Sequence, residues 1–122
     1  MSEVFEWALI RIVPRVDRGE VINAGVIVYS KSFRYLKTRI ELDQRRLLAL
    51  APDTDLTAVG NALTAFELAC TTGPLAEFTL GERFRWLTAT RSAIVQAGPI
   101  HAGVTDAPQA DLTRLFESLV AT

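Results

Sequence analysis

Cysteine and histidine are nearly absent from this chain of 122 residues, which carries one of each, Cys70 and His101. A lone cysteine closes no intrachain disulfide. Without a C-x-x-C pair or a second imidazole, the usual zinc-finger spacings are excluded as well. No apolar run approaches the roughly 20 residues that span a bilayer. The N-terminal segment bears Glu3 and Glu6 where a secretory leader is basic. A soluble cytoplasmic protein with no membrane contact is therefore expected. The net charge of -1 lacks the surplus of Lys and Arg that drives phosphate neutralisation, so a dedicated nucleic-acid binder is not expected either. Also missing are a Walker A loop, a dinucleotide fingerprint, an H-E-x-x-H pair and an EF-hand loop. The expectation is no cofactor and no metal. There is no repeat, low-complexity tract or linker.

What is present is 49% hydrophobic and 22% charged. That composition suits a single domain over residues 1–122, large enough to hide about two-thirds of the surface its unfolded chain exposes. The charge is unevenly placed. Residues 1–46 hold nine Lys/Arg against six Asp/Glu, whereas residues 47–122 hold four against eight. An oriented docking surface for a protein partner or a homodimer would use such an asymmetry; so would chance in short blocks of sequence. Eleven of the thirteen basic residues are Arg, accompanied by sixteen Ala, a pairing that GC-rich codon usage also produces.

Residues 4–13 are apolar at both alternating sets, which predicts a strand covered on both faces and ended by Pro14. Residues 21–30 predict a second such strand, with Gly25 marking a bulge or a close backbone approach. The short polar loop between them, Arg15 to Glu20, makes an antiparallel hairpin. Residues 33–42 alternate properly and predict a half-exposed third strand after a tight turn at Lys31-Ser32. Asp43 is placed to cap a short helix that Pro52 stops. Leu56, Val59, Leu63, Phe66 and Cys70 recur at helical spacing, and Cys70 reads as a small core hydrophobe. GERFRWLT fits a helical turn or a strand, SAIVQA a strand, and GPIHAGV a loop. Asp106 with Gln109 resembles a capping box, Pro108 falls in the first turn, and Leu112, Leu115, Phe116, Leu119 and Val120 stripe a closing helix. The fold class implied is α+β, with an antiparallel sheet of about four strands and two main helices packed on a face, in a single domain.

Two groups carry the candidate chemistry. Arg15 and Arg18 at the hairpin are suited to fork around a phosphate or carboxylate, with Glu20 orienting one guanidinium and Asn23 bonding backbone or ligand. A local Arg18–Glu20 ion pair and an Asn23 that satisfies a carbonyl explain the same residues structurally. The second group is Arg83, Arg85, Arg91, Ser92 and His101. Folded over the hairpin, these would line one anion-binding cleft with His101 as acid or base, an imidazole titrating near neutrality. Asp53-Thr-Asp55 reads as helix capping rather than half a metal site. Phe33, Tyr35, Lys37 and Arg39 give one strand face the aromatic and basic groups of a single-stranded RNA platform, or simply a solvated or dimeric face.

The run from Arg11 to Tyr29, RIVPRVDRGEVINAGVIVY, resembles the opening signature of an uncharacterised bacterial family, domain of unknown function 3037. Glu82 to Leu87, Arg91-Ser92, His101 to Gly103 and the LTRLFESLV segment from Leu112 to Val120 are similar to its C-terminal half. The resemblance implies a small stand-alone bacterial protein without an assigned reaction, often encoded beside a HipA-like kinase-domain protein. It carries no catalytic residue. The expected function is accordingly a non-enzymatic binding or regulatory partner of that kinase-like neighbour. An enzyme or sensor acting on a phosphorylated or anionic small molecule through an Arg/Glu/His cluster is the alternative, and an oligomer built on the third strand a further one.

Overall fold

A computed structural model describes residues 2–73, 77–89 and 93–121. Nine elements follow in order: β1 (Glu3–Ile12), β2 (Ile22–Ser30), β3 (Tyr35–Ile40), α1 (Gln44–Leu50), α2 (Leu56–Leu68), α3 (Leu80–Thr88), β4 (Val95–Ala97), β5 (His101–Thr105) and α4 (Pro108–Leu119). The sheet is antiparallel throughout. It is ordered β3-β2-β1, and β4 and β5 both pair with the remaining edge of β1.

Both apolar sets of β1 and β2 face a core, although Trp7 and Leu9 of β1 are only partly covered. Ala8, Ile10 and Ile12 face a core shared with Leu47 of α1, Val59 and Leu63 of α2, and Phe84 and Leu87 of α3. Phe5, Val26 and Val28 face the opposite way, against Leu112, Leu115 and Phe116 of α4. The α+β class and the antiparallel sheet are as expected, but the two main helices do not share a face: α2 packs on one side of the sheet and α4 on the other, because both apolar sets of the central strands need a cover. No described helix is long and apolar enough to cross a membrane.

Two bulges shape the sheet. On β2, Ile10 of β1 pairs with Gly25 and Arg11 with Asn23, so Ala24 is the extra residue. Gly25 is also the close approach that its sequence position predicts, because a Cβ there would meet the Arg39 carbonyl oxygen at 2.7 Å. The second bulge lies on the far edge. Ile10 pairs with Ala97 and Trp7 with His101, so residues 98–100 face only Ala8 and Leu9. β4 and β5 are thus one edge strand with one residue too many, and Pro99 sits at the interruption, where its missing N–H breaks no ladder rung.

Several local expectations need correction. Residues 101–105, read as loop, form β5: apart from Thr105 its side chains are not buried, so its sequence carries no buried alternation to read. The third strand begins at Tyr35 rather than Phe33, because residues 31–34 make a four-residue turn closed by the Arg34 N–H on the Lys31 carbonyl at 3.1 Å, with Arg34 at φ 50°. The Asp106/Gln109 capping box does not form. Ala107 occupies the cap, Pro108 needs no donor partner, and Gln109 accepts instead from the Tyr35 hydroxyl at 2.7 Å. Thr105 does the local work, accepting from the Ala107 N–H and donating to the Asp111 carboxylate. GERFRWLT is helical, started by a reciprocal box in which Thr79 and Glu82 exchange hydrogen bonds, which holds the Glu82 carboxyl below its usual range. Asp43 and Asp55 cap α1 and α2 as their positions predict.

Cys70, just beyond α2, is buried in the larger core. Burial, with a smaller push from Glu67, raises its thiol to about 11 from 9.0. The fold therefore holds the neutral thiol. Its contribution to stability is complete below the unfolded value and is lost as pH rises from 9.0 towards about 11. At about pH 8, a maleimide is expected to leave native Cys70 unmodified and to label it once guanidinium unfolds the chain. Native labelling at the rate of a free thiol would contradict the burial.

Candidate functional site

Pro14 ends β1, and the chain turns back through residues 15–20 with the Arg18 N–H on the Arg15 carbonyl and Gly19 in the left-handed region at φ 70°. Glycine takes that conformation without a Cβ penalty. Across from this hairpin, Pro52 follows α1, and Thr54 ties its own N–H and hydroxyl to the Ala51 carbonyl at 3.1 and 2.7 Å. Between the two segments lies a cleft of about 250 Å³, lined by Pro14, Arg15, Arg18 and Glu20 on one wall and by residues 50–54 on the other. Asp53 is thereby placed opposite the two guanidiniums rather than in any metal cluster. No group of three His, Cys, Asp or Glu able to hold a cation occurs among the described residues.

Both hairpin arginines are already engaged. Arg15 donates twice to Asp17, at 2.8 and 3.3 Å, which raises the guanidinium and holds the Asp17 carboxyl below its usual range. Arg18 Nε lies 2.5 Å from Glu20 Oε1, the local ion pair that the sequence allows. Arg15, Asp17 and Arg18 are well exposed and Glu20 partly so, and solvent screens both pairs. They form a cleft rim whose charges can re-pair with a visitor.

The remaining candidates are elsewhere. Asn23 lies on the α4 side of the sheet, where its amide donates to the Leu119 carbonyl at 3.2 Å and ties down the end of α4. Arg83 donates to the Cys70 carbonyl at 2.8 Å, closing the end of α2. Arg85 forks onto Glu6 at 2.6 and 2.8 Å and so docks α3 on β1. Arg91 and Ser92 lie outside the described residues. His101 pairs with Trp7 across β5 and β1, and the two rings stack at 4.4 Å between centroids. From Trp7 to Ile12 is five residues of strand, about 17 Å, and the hairpin begins beyond that. His101 therefore shares no site with Arg15, Arg18 and Glu20, since proton transfer needs contact or one bridging water.

On the supposed RNA-type face of β3, Lys37 and Arg39 are exposed, but the aromatic groups are not free for stacking. Arg39 lies over the Phe116 ring at 4.2 Å, Tyr35 is bonded to Gln109 and raised by burial, and Phe33 belongs to the preceding turn.

One residue was not legible as a site. Arg11 is the sole cation within β1, and its side chain lines a second cleft of about 380 Å³ with Thr88 and residues 97–100. Its Nε is buried without a hydrogen-bond partner. An isolated guanidinium inside a two-faced apolar strand is the one sequence signal by which it could have been found.

The sequence model of the family DUF3037, described as protein of unknown function, matches residues 7–120. The chain belongs to the DUF3037 family. No curated protein and no solved structure matches it. Residues 11–29, within the matched span, fold as the end of β1, the cleft hairpin and the bulged β2, so this segment encodes the first cleft's wall, the Asn23 tie and the Gly25 approach together.

Proposed function

We propose that this DUF3037 protein is a non-enzymatic binding or regulatory module that docks a protein partner, a HipA-like kinase-domain protein, along the hairpin cleft. The observation that carries this reading is the rim itself: two guanidiniums and their two carboxylates, exposed, paired only locally, and set beside the Asp53 wall. Rim charges of this kind steer encounter and select a partner more than they supply affinity. The surplus of basic residues in the first 46 positions puts the attractive field at the same end of the sequence.

Co-expression with the kinase-like neighbour and size-exclusion chromatography test it. Co-elution at fixed stoichiometry is expected. Arg15→Ala and Arg18→Ala should each weaken the complex roughly two- to fivefold, more at low salt, with the thermal melt unchanged. Unchanged affinity in both variants sinks the site assignment, and failure of two folded proteins to associate sinks the partner. The alternative, an enzyme or sensor for a small anion using an Arg/Glu/His cluster, finds less support. His101 lies along the sheet from the hairpin, and each hairpin guanidinium already has a carboxylate. Light scattering of the isolated chain distinguishes a homodimer.

A further inference from the structure

On the sheet face that α4 covers, the helix lies over β2 and β3, and burial falls away across β1. Val26 and Val28 are fully buried, whereas Trp7, Leu9 and Arg11 in line along β1 are only partly so, and His101 beyond them is exposed. We infer that this strip is a binding site for a small aromatic ligand bearing an oxyanion, a nucleoside monophosphate being its simplest biological form, with the ring on the Trp7–His101 stack and the oxyanion on Arg11.

Arg11 carries the argument. Arg15, Arg18, Arg85 and Arg114 each hold a carboxylate, Arg83 holds the Cys70 carbonyl, and Arg39 lies over Phe116. Among the described residues the Arg11 side chain makes no ion pair or hydrogen bond, and whereas the equally unpaired Arg34, Arg45 and Arg46 are exposed to water, its Nε is cut off from it. A buried donor left unmade is costly, and such orphans call for a partner. A planar fork of donors is matched best by a phosphate or carboxylate. The surroundings make room for one. The edge bulge opens the cleft beside Thr88, Pro99 and Ile100, and Gly98 is the floor: a Cβ there would sit 2.9 Å from Arg11 Cζ.

The aromatic half is equally specific. His101 and Trp7 stack at 4.4 Å with 25° between planes, on the same sheet face as Arg11 because all three positions on β1 and its partner share one parity. An exposed ring already stacked on one side offers its other side to a flat ligand. Gly98, over which the guanidinium lies, is three residues from His101, but across the bulge these advance only about two positions of β1, roughly 7 Å along the edge. That span fits a ring and an oxyanion joined through one sugar. None of these residues lines the hairpin cleft, so this site stands or falls apart from the docking reading.

Adenosine monophosphate, adenosine and inorganic phosphate are the probes, titrated by calorimetry on the full chain and by tryptophan fluorescence in a Trp86→Phe background, where Trp7 alone reports. Saturable binding of the monophosphate with a change in Trp7 emission is expected. Arg11→Gln, which keeps the aliphatic stem, and His101→Ala should each weaken it about tenfold, phosphate alone surviving His101→Ala but not Arg11→Gln. The proposal is overturned if the monophosphate gives no saturable heat, if it binds no tighter than inorganic phosphate, or if both variants bind it as the parent chain does.

Discussion

Phe84→Ala is expected to remove about 3–5 kcal/mol of stability, a large share of the roughly 6–18 kcal/mol that a domain of this length possesses. Phe84 is wholly buried and stacks on Tyr29 at 5.2 Å, so it is the peg by which α3 enters the larger core. α3 has nine residues and would be marginal alone. Its Thr79–Glu82 box and its Arg85–Glu6 fork remain in the variant, so the helix can form without being seated. The cavity left behind adds to the lost transfer free energy, since neighbouring Ile10, Ile27 and Leu87 relax only in part. Urea unfolding measures this directly. Leu68→Ala, at a half-exposed position on α2, should stay within about 0.5 kcal/mol. A Phe84→Ala loss below about 1 kcal/mol would mean that α3 is not part of the core.

Gly25→Ala should destabilise by about 1–3 kcal/mol or more, through backbone rather than through core volume. The added methyl would meet the Arg39 carbonyl oxygen at 2.7 Å, Ile40 Cγ1 at 2.9 Å and Ile40 Cα at 3.2 Å. A side-chain tip can rotate away from such a clash, but a ladder carbonyl cannot. β3 must move, and with it go the Arg39–Phe116 and Tyr35–Gln109 contacts that hold α4. Gly60→Ala makes the opposite case. That glycine is in the interior of α2 with nothing within 4 Å of its Cβ position, so alanine should stabilise by about 0.4–1 kcal/mol. Equal midpoints for the two variants in urea would refute the clash.

The pair also shows where reading along the chain succeeds. Gly25 stood out because a glycine inside a two-faced strand has few reasons to be there, and Asp43 and Asp55 because a capping carboxylate sits at a fixed offset from its helix. The stripe of α2 and that of α4 were legible for the same reason: each is local and periodic. β5 was not, because an edge strand with exposed side chains carries no buried alternation. Asp106 and Gln109 matched a box by spacing, yet a tyrosine 74 residues away took the glutamine. In the candidate sites the pattern repeats. The Arg18–Glu20 pair is two residues apart and could be anticipated. That Asp53 faces it, that His101 does not, and that Arg11 is left without a partner all depend on which segments the sheet brings side by side.

The extra residue in the β4–β5 edge bears on how this protein behaves at high concentration. Had residues 95–105 formed an unbroken ladder with β1, their outer side would offer a long row of free donors and acceptors beside exposed Val4 and Val104, a template on which other chains add strands. Divided at Pro99 into lengths of three and five residues, the row loses a donor and its straightness. The interruption that shapes a cleft for Arg11 also guards the solubility of the sheet's open side.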